Sequence, residues 1–157
     1  MSPPFAEIGE CLACVALEPH LEAVAPAVER ALRVCPSLSP VPGDDAVQEA
    51  MRLALTEALN NVLEHSGHDP SVPVRIHHGL GSDGPWFCVE DRGVPLPSSV
   101  FEERQTDHDY VGMELDALPE GGWGWMLIRA SVARLDYCRD GATNFLLLVA
   151  PTACALA

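Results

Sequence analysis

The longest regular pattern in the chain lies between Val47 and Val62. At about 100° per residue, Val47, Met51, Ala54, Leu55, Ala58 and Val62 fall on one side of a helix. Asp44 and Asp45 precede it as capping residues, and Ser66-Gly67-His68-Asp69-Pro70 follows, so the spacing predicts a helix ending near His65. Glu57 lies on the flank of the apolar stripe, Asn61 on its edge and His65 inside it. A partly buried carboxylate and amide need partners, which a bound ligand or a network of neighbouring groups and water can supply. His65, on the stripe, is expected to be packed and hydrogen-bonded rather than a phosphoacceptor.

The remaining pattern is shorter-ranged. Residues 11–17 are apolar and strand-length, predicting a buried strand. Glu18-Pro19 then opens a helical pattern with Leu21, Val24, Ala25, Val28 and Leu32 on one side. Pro26 interrupts it, predicting either a kink or a helix that begins later. Pro36, Pro40, Pro42 and Gly43 make a break. Val72, Val74, Ile76 and Leu80 alternate with Arg75, His77 and Gly79 as in a half-buried strand, and Gly81-Ser-Asp-Gly84 turns it into a second strand over 86–90.

Residues 94–121 lose all periodicity and carry prolines with Glu102, Glu103, Asp107, Asp109, Glu114 and Asp116, a length of irregular chain that suits a functional lid. A further helix is expected from Gly122 to about Ala133, then strands over 134–139 and 143–149 around an Asp140-Gly141 turn. This order predicts an α+β fold, a two-layer α/β sandwich with a mixed, mainly antiparallel sheet and helices on one face. It also predicts a single domain over residues 1–157, with its core at about 11–150.

Composition narrows the function classes. With 48% hydrophobic and 20% charged residues the chain has the makeup of a folded globular protein. The formal net charge is −14 and all nine basic residues are arginine, scattered among a larger number of acids. That argues against nucleic acid, which needs clustered cations, and favours a basic protein partner. No basic start with an apolar run opens the chain, and the apolar run at 145–150 is far below the roughly 20 residues of a membrane span. A cytoplasmic location is therefore expected, without a membrane partner. Cys11-Leu-Ala-Cys14 lacks the second ligand pair of a structural zinc site, so Cys11, Cys14, Cys35, Cys88, Cys138 and Cys154 are expected to be reduced and buried. His65, His68, His77 and His78 match no metal-ligand spacing for a metal-dependent hydrolase.

Four clusters carry candidate chemistry. Glu57 and Asn61 sit one helical turn apart; an Asn oxygen is a hard ligand suited to Mg²⁺, and a neighbouring Glu suits a general base. Asp91-Arg-Gly93 can present a carboxylate to an exocyclic amine where a ring approaches backbone, or can be a simple capped turn. Gly121-Gly-Trp-Gly124 at a helix start can meet anionic oxygens or hinge the lid. Thr143, just past the Asp140-Gly141 turn, reads by itself as a strand residue.

In this order the clusters resemble the Bergerat-fold ATP-binding family of gyrase, heat-shock chaperone, histidine-kinase and mismatch-repair ATPases. Glu57-Ala-Leu-Asn-Asn61-Val-Leu-Glu-His65, Val89-Glu-Asp91-Arg-Gly93 and Glu120-Gly-Gly-Trp-Gly124-Trp-Met-Leu-Ile-Arg129 are most similar to its stand-alone serine kinases that act as anti-sigma factors. The resemblance implies ATP and Mg²⁺ between the second helix and the lid. Asn61 would hold Mg²⁺, Glu57 would act as base, and Asp91 and Thr143 would recognise adenine. Gly93, Gly122 and Gly124 would make room for the nucleotide. It further implies a homodimer that phosphorylates a serine on an anti-sigma-factor antagonist and sequesters a sigma factor. Trp123 and Trp125 are bulkier than the family's usual residues there, and Arg104 is the lid's own cation beyond Arg92 at its entrance. Those departures keep a second expectation open: a catalytically weak or inactive binding module that regulates by sequestration.

Overall fold

The computed structural model describes residues 8–35, 45–101 and 123–152. Five strands, β1 (Glu10–Leu17), β2 (Val74–Gly81), β3 (Gly84–Asp91), β4 (Arg134–Asp140) and β5 (Thr143–Val149), form one sheet in the order β1-β2-β3-β5-β4. Every pairing is antiparallel, so the sheet is more uniform than the mixed one expected. Two-residue turns close the β2–β3 and β4–β5 hairpins, Ser82-Asp83 in one and Gly141-Ala142 in the other.

Three helices, α1 (Val24–Arg33), α2 (Asp45–His65) and α3 (Trp123–Ser131), supply the second layer, with α2 packed against both of the others. Pro26 does not kink α1, because a 3-10 turn at Leu21–Ala23 precedes the helix and puts the proline in its first turn, where a missing N–H costs nothing. The predicted stripe of α2 is buried in full and gains Leu59. It meets Ala27, Val28, Ala31 and Leu32 of α1, Ile128 of α3, and Val74, Ile76, Phe87, Val89, Leu146 and Leu148 of the sheet. Alanines at the α1–α2 contact allow close approach, and outside it Arg52 of α2 bonds Glu29 of α1 at 2.6 Å. That bond, from an arginine to a largely exposed carboxylate, lowers the Glu29 pKa.

Three expectations change. β1 is mostly exposed rather than buried, because it is an edge strand, and a bulge at Leu12 leaves that residue half exposed. Cys11 and Cys14 on it are exposed free thiols, whereas Cys35 and Cys88 are buried and burial pushes the Cys88 thiol pKa up; Cys154 lies outside the described residues. His65 is exposed: it is the last residue of α2, where the stripe has run beyond the sheet that covers it.

The opposite sheet face is apolar too, with Trp86, Cys88, Phe145, Leu147 and Val149 packed around Ile8. Beside them His77, expected on the solvent side of its strand, is buried with its Nε2 at 2.6 Å from Glu90, which also accepts from Arg75 at 3.2 Å.

His78 occupies the inward position that follows Val74 and Ile76, is fully buried, and lies against Phe87. Neither ring nitrogen has a partner among the described residues, and burial, with His77 nearby, lowers its pKa. The folded protein holds it neutral while the unfolded chain protonates it below about pH 6.5, so its burial increasingly destabilises the fold as pH falls below that value. His78→Leu is expected to stabilise the fold by about 1–3 kcal/mol. Urea melts at neutral pH and near pH 5 test this: the variant should gain more at the lower pH, and an equal gain at both would refute the assignment.

Candidate functional site

The C-terminal end of α2, the end of β3 and the start of α3 meet at a cleft. Ser66, the residue after α2, donates its hydroxyl to Val62 O at 2.7 Å and accepts Val94 N–H on its carbonyl at 2.7 Å. Gly93 lies against it so closely that a Cβ there would sit 2.2 Å from Ser66 Oγ and 2.7 Å from its carbonyl oxygen. His68 ties the same two turns: its Nδ1 accepts from Arg92 N–H at 2.9 Å, so its Nε2 carries the proton and donates to Val72 O at 2.7 Å. The Asp91-Gly93 turn is thereby fixed to the end of α2.

A recess opens beside this junction, lined by Asn61 and Ala58 of α2, Asp91 of β3, Trp125 of α3, and Tyr137 and Asn144 of the β4–β5 hairpin. Asp91 is buried, and its Oδ1 accepts Gly93 N–H at 2.6 Å and Asn144 Nδ2 at 2.9 Å. Asn144 Oδ1 in turn accepts from Tyr137 at 2.7 Å and Arg139 at 2.6 Å. Tyr137 stacks on Phe101 with ring centres 5.5 Å apart, and Phe101 meets Trp125 edge-on. The recess therefore has aromatic flanks and one carboxylate at its polar wall.

A second opening continues from Asn61 and Trp125 and is lined by Glu57, Asn60, Glu64, His65, Trp123 and Gly124. Glu57 and Asn61 converge on Gly124, where a Cβ would lie 2.9 Å from Glu57 Oε2 and 3.5 Å from Asn61 Oδ1. The carboxylate and amide thus face the first turn of α3, whose backbone N–H groups attract anions. Asn61 Nδ2 is buried without a partner among the described residues, which leaves the amide open to a ligand. An amide oxygen, a carboxylate and a helix N-terminus fit hydrated Mg²⁺ on a polyphosphate. No arginine lines this opening among the described residues, since Arg139 bonds Gly93 O and Arg129 turns to Val100 O.

Glu57, Asn61, Asp91, Gly93 and Gly124 are thus brought together, while Gly122, Arg104 and all but 94–101 of the expected lid lie outside the described residues. Thr143 requires a correction. It shares a sheet face with Phe145 and Leu147, away from Asp91, and the residue opposite Asp91 in register is Asn144. Asn144, Tyr137, Arg139 and Ser66 were not among the expected site residues. The register Asp91–Asn144–Arg139 across three strands brings Asn144 and Arg139 to Asp91, a pairing that the local pattern of β5, buried on both faces, does not signal.

Residues 17–150 match the histidine kinase-like ATPase domain. The chain belongs to the histidine kinase-like ATPase family. It is 26% identical over 99 residues to the serine-protein kinase RsbW of Bacillus mycoides (strain KBAB4), and 25% identical over 99 residues to that of Bacillus cereus (strain G9842). Each alignment covers 63% of this chain and 61% of the relative. Among solved structures it is similar to the crystal structure of the RsbU and RsbW domains of a Mycobacterium tuberculosis protein, with a TM-score of 0.55, 19% identity, and coverage of 87% of this chain and 31% of that one. These findings bear out the resemblance to the anti-sigma-factor serine kinases and the expected α+β fold, and the family implies ATP binding. No helix among the described residues is long and apolar enough to cross a membrane.

The two close-packed glycines should respond differently to alanine. At Gly93 the added carbon meets backbone and a held hydroxyl, so Gly93→Ala is expected to cost about 1–3 kcal/mol. At Gly124 it meets the free end of Glu57, which can swing aside, so the loss in Gly124→Ala should stay below about 0.5 kcal/mol. Thermal melts decide; equal losses would show that the Gly93–Ser66 contact does not clamp the fold.

Proposed function

We propose that the protein is an ATP-dependent protein serine kinase and anti-sigma factor that phosphorylates an anti-sigma-factor antagonist and sequesters a sigma factor. The observation that carries this reading is the convergence of Glu57 and Asn61 on Gly124 at the start of α3, beside a recess walled by Asp91. The relatives named serine-protein kinases support the same reaction class.

In this reading Asp91 accepts from the adenine amino group and Trp125 lies at the base pocket's wall. Through its amide oxygen Asn61 would hold Mg²⁺, which would supply charge to offset the triphosphate. Glu57 takes the proton of an incoming serine hydroxyl as its oxygen bonds to the terminal phosphorus and ADP leaves. Gly122 and Arg104 complete the phosphate surroundings from the lid side. The protein acts as a cytoplasmic homodimer of single-domain subunits, and its charge of −14 favours basic surfaces on its partners.

Among the described residues no arginine lines the Glu57 opening, which favours a second reading, a catalytically weak module that regulates by sequestration. Transfer of radiolabelled phosphate from Mg-ATP to the cognate antagonist, together with calorimetry of Mg-ATP binding, separates the two. Wild type should bind ATP and yield phosphoserine. Glu57→Gln should lower transfer by about 10²–10⁴-fold while the dissociation constant stays within about threefold. Full transfer in Glu57→Gln would remove Glu57 as base, and binding without any transfer in wild type would select the sequestering module.

A further inference from the structure

Every acceptor and donor of Asn144 is accounted for. Arg139 offers only donors, and Tyr137, whose hydroxyl oxygen accepts Leu96 N–H at 3.2 Å, has its own proton to give. The amide oxygen therefore faces them, and the amide nitrogen faces Asp91 Oδ1 at 2.9 Å and the carbonyls of Val94 and Gly93 at 3.1 and 3.2 Å. With Gly93 N–H, two protein donors occupy Oδ1, while no group among the described residues bonds Oδ2.

We infer that Asn144 is a specificity-determining residue that makes Asp91 a one-oxygen acceptor and so selects adenine over guanine nucleotides, an inference that rests on the proposed reading of this cleft as a base site. Guanine is held best by a carboxylate that accepts on both oxygens, one from the ring N–H and one from the exocyclic amine. Here the second of those donors would face the donors already on Oδ1. Adenine has a single exocyclic amine for Oδ2 and, beside it, a ring nitrogen that accepts rather than donates. The Tyr137 and Arg139 bonds hold the amide in the orientation that excludes guanine, which makes those two positioning residues.

The test is calorimetry of Mg-ATP and Mg-GTP binding to wild type, Asn144→Val and Tyr137→Phe, with circular dichroism confirming the fold. Wild type should prefer ATP by about tenfold or more. In Asn144→Val that ratio should fall about fivefold or more, because ATP weakens and GTP strengthens. General loosening of the pocket would weaken both nucleotides and leave the ratio unchanged, which overturns the inference. Should Asn144→Val fail to fold, Tyr137→Phe decides: a ratio lowered about twofold or more supports the assignment, and an unchanged ratio overturns it. Wild type binding ATP and GTP equally overturns this inference alone, whereas wild type binding neither overturns the reading of the cleft and the inference with it.

Discussion

The contact between Gly93 and Ser66 registers the two layers of the molecule at the point where the cleft needs it. Apolar packing between a sheet and a helix resists separation but tolerates small sliding, because its free energy follows buried area rather than direction. A bare Cα set against Ser66, the Val94 N–H on the Ser66 carbonyl and the hydroxyl returned to Val62 leave no such freedom. Asp91, two residues before Gly93, and Asn61, one turn before the end of α2, consequently become walls of one recess rather than features of separate layers. The His68 bridge, from Arg92 N–H to Val72 O, ties the same junction to the chain entering β2.

The electrostatics of the cleft follow from where the arginines have gone. Arg52 is engaged by Glu29 and Glu49, Arg75 by Glu90, Arg134 by Asp136 and Asp83, Arg139 by Asn144 and Gly93 O, and Arg129 by Val100 O. In a chain of charge −14 these pairings leave the Glu57 opening to carboxylates, amides and the helix end. Among the described residues no side-chain cation lines that opening, and backbone N–H groups at a helix start amount to about half a charge. In the proposed reading that shortfall is met by the metal, and Asn61 is the residue that would hold it.

The part of this arrangement legible in the sequence is the part that one helix encodes. The α2 stripe is long enough that period alone places Met51, Leu55 and Ala58 inward, and Glu57 and Asn61 then have fixed angular positions beside it. Where the helix outruns its cover, the same geometry misplaces His65, since periodicity describes direction and not whether anything lies in that direction. β1 fails for a related reason. An apolar strand reads as buried, yet its position at the sheet edge is a property of topology, which the local pattern does not contain.

The Asp91 wall of the recess was illegible for a subtler reason. Each residue of β5 from Thr143 to Val149 is buried, because the sheet has an apolar cluster on both faces. Alternation tells inside from outside only when one face is wet, so nothing local separates the Thr143, Phe145, Leu147 set from the Asn144, Leu146, Leu148 set. What separates them is pairing: Asp91 stands opposite Asn144, and Asn144 opposite Arg139. A buried Asn beside a buried carboxylate then acquires a role that depends on neither residue type alone. Its oxygen is claimed by Tyr137 and Arg139, so its nitrogen must point at Asp91, and the carboxylate's outward oxygen becomes the recess's acceptor. The chemistry of the wall is therefore a consequence of strand register, read from β3 to a hairpin whose Asn144 lies 53 residues from Asp91 in the chain.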